Sequence, residues 1–178
     1  MDKRLVKIRK LVEKKFNQED WQYHMLPMIK NALRLGKIYK VDKNLVELAA
    51  LMHDIGRAKD GDKKNHHLVG VVVAAKILKN FKYDAKIIKE ISDCIESHRS
   101  SKGPKPKTML AKIIANADAM AHFDALPVLI YYHGQKHTFD QTMKWVKEKI
   151  KRDWQKKLTL PVARKFVKQK YLAIKLLI

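Results

Sequence analysis

Leu5, Ile8, Val12 and Phe16 recur at three- and four-residue intervals, which predicts an amphipathic N-terminal helix with a basic outer face. Asn17-Gln18-Glu19-Asp20 breaks the pattern, and Asp20 stands where it would cap a second helix running through Leu35. Pro27 falls near the start of that helix, where its missing N–H costs no more than a small kink. After Val41-Asp42 come Leu45, Val46, Leu48, Ala49, Leu51 and Met52, apolar nearly all round, so this helix should be central. Gly56, just beyond it, is placed to supply a left-handed terminating turn.

The charged stretch Lys59 to Lys64 reads as a loop, with Asn65 as the cap of a helix from His66 to Leu78. Asp84 caps Ala85 to His98, in which Ile87, Ile88, Ile91 and Ile95 form the buried stripe. Ser100 to Lys107 reads as a flexible loop ending at Thr108, and Leu110, Ile113, Ile114 and Ala117 then mark a helix from Met109 to Ala121. Beyond His133-Gly134, two more helices are expected: Phe139, Met143, Val146 and Ile150 in one, and Val162, Phe166, Tyr171, Leu172, Leu176 and Leu177 after Pro161 in the other. Only 6 Gly and 5 Pro leave little material for a turn-rich all-β fold, so the expectation is all-α. At 178 residues and 46% hydrophobic composition the chain suits one domain, 1–178, with a core of about 20–125 and a C-terminal helical extension of about 138–178.

Cys94 has no second cysteine to pair with, which points to a reducing compartment. Met1-Asp2-Lys3-Arg4-Leu5 lacks the apolar region of a signal peptide, and no stretch approaches the ~20 apolar residues of a membrane span. The expectation is a cytoplasmic protein without a membrane partner. The apolar run Leu172 to Ile178 reads as a core edge or an interface, such as that of a homodimer. A formal charge of +21 attracts phosphate-bearing ligands. Only seven of the 39 basic residues are arginine, and widespread lysine serves a solvated helix surface better than base-specific recognition. Nucleic acid is therefore the less favoured partner and a phosphorylated small molecule or nucleotide the more favoured one.

The candidate chemistry lies in six scattered residues: His24, the doublet His53-Asp54, His66, His98 and Asp118. Imidazole nitrogen and carboxylate oxygen together suit borderline and hard divalent ions. The doublet ends the apolar run Ala49-Ala50-Leu51-Met52 and is followed by Ile55-Gly56-Arg57. An Asp on an apolar helix, as Asp118 is in Ala115-Asn116-Ala117-Asp118-Ala119-Met120, needs a cation or donors to be tolerated.

In type and order these segments resemble the HD-domain metal-dependent phosphohydrolase superfamily. Trp21 to Met28 resembles the family's first helix with its metal-binding His, and His53-Asp54 the doublet that names the family. Asn65-His66-His67-Leu68-Val69-Gly70 resembles the His-x-x-x-Gly segment, Glu96-Ser97-His98-Arg99 the next His, and Ala115 to Met120 the closing Asp. The resemblance implies metal ligation by His24, His53, Asp54 and Asp118, the set of one-metal members. His66 and His98 correspond to the additional ligands of two-metal members, in which the doublet Asp bridges. Both are present, so two ions are favoured over a one-metal site where these histidines bind phosphate or shuttle protons. Mn, Fe, Ni, Co and Zn all suit such ligands.

The implied function is hydrolysis of a nucleotide or other small phosphoester by metal-activated water, with Asp54, Asp118 and Arg57 as the catalytic group. Arg57 resembles the basic position that holds substrate phosphate, and Lys63, Lys64 and Arg99 are further phosphate-binding candidates. His122, one turn after Asp118, is within reach of the rim; His67 is a supporting or surface residue, and His133 and His137 are loop residues. The alternatives are a di-iron HD-type oxygenase and a non-catalytic nucleotide- or nucleic-acid-binding module.

Overall fold

A computed structural model of the chain describes residues 2–58, 66–98 and 103–177. The fold is all-α, and the described residues contain no strand. The helices are α1 (Lys3–Glu13), α2 (Gln18–Asp20), α3 (Leu26–Ile38), α4 (Lys43–Met52), α5 (His66–Asn80), α6 (Ala85–Ser97), α7 (Met109–Asp124), α8 (Leu126–Gly134), α9 (Phe139–Arg152) and α10 (Pro161–Leu177). Asp42, Asp84 and Thr108 cap α4, α6 and α7, each accepting a bond from the third residue on.

The core is built around α7, buried nearly all round from Leu110 to Phe123. Its alanines, Ala111, Ala115, Ala117, Ala119 and Ala121, are buried and keep the helix slim on several sides, and α3 packs against it with Met28, Ile29, Ala32 and Leu35 buried. Helix α4 packs against α3, α6 and α7, which makes it central, as its apolar girdle predicts. Helix α1 covers α4 with Leu5, Ile8 and Val12, reinforced by Arg9 on Glu47 at 2.7 Å. Among the described residues, no single helix is long and apolar enough to cross a membrane.

The C-terminal helices join this core through Asn116, fully buried on α7. Its amide donates to the Lys112 carbonyl at 2.8 Å and to Thr159 Oγ1 at 3.0 Å, and its oxygen accepts from the Leu160 N–H at 3.0 Å. Below that clamp, Ala163, Val167 and Ile174 of α10 are buried, and Tyr171 meets Phe123 edge-on at 6.3 Å.

Three local expectations are corrected. Asn17, not Asp20, caps the second helical segment: its side chain accepts from the Asp20 N–H at 2.7 Å. The segment then runs through a π turn, Trp21–Met25, before α3. Pro27 causes more than a kink, because its ring crowds the carbonyl four residues back and it has no N–H to close an ordinary turn. The Leu26 N–H instead reaches the Trp21 carbonyl. Gly56 is not left-handed, since no glycine among the described residues has positive φ; it lies in a 3₁₀ turn, Ile55–Arg57.

Gly56 is small because α5 begins against it. A Cβ there would stand 2.0 Å from the His66 carbonyl oxygen and 2.6 Å from the Gly70 nitrogen, both backbone atoms that cannot swing aside. Gly56→Ala is therefore expected to cost about 1–3 kcal/mol, the range for overpacking. In a chain of this size that lowers Tm by roughly 3–10 °C. An unchanged melting curve would contradict this packing.

Candidate metal centre

Five helices and turns deliver the six sequence-predicted residues to one place. The π turn presents His24 next to the end of α4, and such wide turns often re-aim a side chain at a site. At that end His53 is still helical (φ −55, ψ −38), but Asp54 leaves the helix (φ −114, ψ 17). Neighbours on a regular helix diverge by roughly 100°. The change at Asp54 turns both side chains toward one centre.

Asp54 lies between two pairs of histidines. Its Oδ2 is 3.5 Å from His24 Nε2 and 3.8 Å from His53 Nε2, and those nitrogens are 3.3 Å apart. Its Oδ1 is 3.3 Å from both His66 Nε2 and His98 Nε2, which are 3.4 Å apart. Donors about 2.1 Å from one ion at tetrahedral or octahedral angles are themselves roughly 3.0–3.4 Å apart. Both triangles approximate that spacing.

The protonation pattern fits as well. His53 Nδ1 donates to the Ala50 carbonyl at 2.7 Å, and His98 Nδ1 donates to the Ile95 carbonyl at 2.6 Å. A carbonyl only accepts, so each neutral ring carries its proton on Nδ1 and turns a bare Nε2 to the centre. Burial pushes the His53 pKa down to about 4 despite neighbouring Asp54, keeping the ring neutral. For Asp54 burial alone would raise the pKa, but the Arg57 guanidinium 3.0 Å away holds it well below the carboxylate range. Among the described residues its Oδ1 is buried without a hydrogen-bond partner, an electron-rich oxygen facing the bare Nε2 of His98 and the Nε2 of His66. A divalent cation resolves that conflict, so these donors fit one.

Asp118 completes the set, with Oδ1 3.6 Å from His24 Nε2 and Oδ2 taken by the Lys157 ammonium at 2.5 Å. Burial opposes its charge, and Lys157, then His122, outweigh it. The His/Asp groups able to hold an ion are His24, His53 and Asp54; Asp54, His66 and His98; and His24, Asp118 and His122.

His122 lies deeper than the rim. Its Nε2 is 3.5 Å from Asp118 Oδ1, its Nδ1 bonds Asp153 Oδ2 at 2.8 Å, and its ring stacks on His24 at 5.6 Å. His133 sits in the last turn of α8 rather than a loop, stacked on Trp145 at 4.4 Å. His67 has its ring 6.0 Å from that of His66. Arg57 donates to Asp54 Oδ2 at 3.0 Å and keeps 43% of its side chain exposed. Lys63, Lys64 and Arg99, and the Asn65 cap, lie outside the described residues.

Lys149, Arg152, Asp153 and Lys157 were not anticipated. With Arg57, His66, His98, His122 and both Asp54 and Asp118 they line a polar cavity of about 180 Å³. A second π turn, Asp153–Lys157, buries its first and last residues in the site. Burial depresses the Lys149 pKa, whereas for Lys157 the carboxylates of Asp118 and Asp153 overcome burial and raise it. Lys149, Asp153 and Lys157 recur every fourth residue, yet among so many lysines that spacing carried no signal.

A family model described as HD domain matches residues 21–122. Ribonuclease Y of Mycoplasma mycoides subsp. mycoides SC is 40% identical over 73 residues, which are 41% of this chain and 13% of that protein. An uncharacterised protein of Methanocaldococcus jannaschii is 34% identical over 111 residues, 56% of this chain and 59% of that protein. The chain thus spans only part of the length of these curated relatives. The crystal structure of a predicted HD superfamily hydrolase from an uncultured Thermotogales bacterium matches with a TM-score of 0.60 at 22% identity, over 96% of this chain and 92% of that one, so the two share a fold.

Proposed function

The chain belongs to the HD-domain family, and from that premise we propose that it is a metal-dependent phosphohydrolase acting on a nucleotide or another small phosphoester. The observation that carries the reading is Asp54. One of its oxygens faces the His66–His98 pair, the other faces His24 and His53, and cations crowd the same cavity.

In this reading His24, His53, Asp54 and Asp118 would hold one divalent cation, and Asp54, His66 and His98 would hold a second. The chemistry such cations supply is Lewis acidity, which polarises a phosphoryl oxygen and makes water more acidic. Arg57, Lys149, Arg152 and Lys157 take the remaining phosphoryl oxygens, offsetting the charge that grows during transfer. Lys157 also holds one oxygen of Asp118, which leaves the other, facing His24 and His122, placed to orient a water. The relative named as a ribonuclease supports phosphoester chemistry, although the matched segment is a small part of it.

Arg57→Ala is expected to raise KM about 10- to 100-fold, the worth of a charge-assisted hydrogen bond. Metal content should be unchanged, because a guanidinium cannot ligate a cation and its loss removes a competitor for Asp54 Oδ2. Kinetics paired with metal analysis check this, and an unchanged KM removes Arg57 from the phosphate site.

The function is tested by metal analysis of protein purified without chelator, followed by phosphate-release assays with Mn, Fe, Co, Ni or Zn. The substrates are nucleotides, cyclic nucleotides and dinucleoside polyphosphates. Turnover of a phosphate compound that chelator abolishes is expected. No turnover with any metal, together with oxygen consumption by iron-loaded protein or tight RNA binding by apo protein, would replace this reading.

A further inference from the structure

The site has a second chamber. On the far side of His24, Asp54, Arg57 and His122 opens a cavity of about 80 Å³ lined by Phe16, Tyr23, Ala125, Val128, Leu129 and Tyr132. Asp54, Arg57 and His122 also line the cationic cavity, so the two chambers share a floor. Their chemistry is opposite. One is walled by Lys149, Arg152 and Lys157; the other is walled by two phenol rings and aliphatic side chains.

This second chamber is built by elements that need not have been apolar. Helix α8 turns away from α7 by 73° at Ala125 and presents Val128, Leu129 and Tyr132 across from Tyr23 of the first π turn. None of the four is fully buried, and Tyr23 is 43% exposed. Among the described residues no hydrogen bond engages either phenol. Apolar surface left open beside a charged centre costs free energy unless a ligand covers it. Flat aromatic rings suit a planar aromatic group, for which stacking is favourable and tolerant of identity.

The direction of entry follows from charge. Glu19 and Asp20 border the apolar chamber and oppose a phosphate there, while Lys149, Arg152 and Lys157 line only the other chamber and Arg57 lies on the shared floor. We propose that the apolar chamber takes the base of a nucleotide whose phosphate lies over the shared floor against Arg57, Lys149, Arg152 and Lys157. The proposal rests on the phosphohydrolase reading and narrows its substrate class to nucleoside phosphates, free or at the end of a strand.

The test is calorimetric titration of metal-free protein with AMP, CMP, GMP, UMP and ribose 5-phosphate, so that binding is read without turnover. At least one nucleotide should bind about tenfold tighter than ribose 5-phosphate, as stacking of one base warrants. Leu129→Trp, which fills the chamber, should erase that advantage and leave ribose 5-phosphate binding unchanged. Tyr132→Ala should reduce it without adding bulk, and far-UV circular dichroism checks that both variants fold. Equal binding of nucleotides and ribose 5-phosphate, or an advantage that survives both substitutions, overturns the proposal. A diadenylate binding as tightly as AMP supports the proposal with a strand end as the source, and AMP binding more tightly supports it with the free nucleotide. A base preference that obeys the substitutions, in a protein that releases no phosphate with any metal, leaves the chamber standing and removes the phosphohydrolase reading.

Discussion

Asp54→Ala is expected to lower turnover by on the order of 10³-fold, the upper end of what one preorganised electrostatic group contributes, and to lower bound metal at both positions together. The expectation follows from the two oxygens of one carboxylate. Oδ1 stands 3.3 Å from His66 and His98, and Oδ2 stands 3.5 and 3.8 Å from His24 and His53, so this one carboxylate touches both pairs. Folding should survive, because the change removes a buried charge whose Oδ1 has no hydrogen-bond partner among the described residues. Activity and metal content are measured on the same preparation, and a variant retaining both would remove Asp54 from the centre.

His98→Ala is expected to act on one position only, taking metal stoichiometry from two toward one. His98 contributes to the group with Asp54 and His66 and to neither of the other two groups. Its Nδ1 bond to the Ile95 carbonyl closes locally within α6, so its loss leaves the packing of α4 and α7 in place. Loss of both metals, or of neither, would mean that the two triangles are not independent positions. His66→Ala should behave alike, because it removes the other imidazole of the same triangle and keeps the backbone carbonyl that packs on Gly56.

The six candidate ligands, which the fold brings to one place, were legible in the sequence because their types are chemically unusual on apolar helices and their order resembles a known pattern. The helices that carry them were legible because each has an apolar stripe or girdle. The two π turns were not, since the spacing of apolar positions presumes regular turns and the widening at Trp21–Met25 comes from Pro27 acting on the turn before it. Helix α8 was missed because Leu126-Pro127-Val128-Leu129-Ile130-Tyr131-Tyr132 is apolar all round, with no polar face to reveal its period. Lys149, Asp153 and Lys157 were missed for another reason. A lysine reads as surface until the fold supplies the buried carboxylate that holds it, and Asp118 and Lys157 are 39 residues apart. Gly56 was noticed for the wrong property, because conformational freedom and lack of a Cβ are indistinguishable without the neighbour, His66, against which it packs.

The central claim is a two-ion centre sharing Asp54, and anomalous diffraction from a Mn-loaded crystal of the wild-type protein tests it most directly. The account predicts two peaks on either side of the Asp54 carboxylate, one contacting His24 and His53, the other His66 and His98. A single peak with His98 remote from it, or manganese bound only elsewhere, would contradict it.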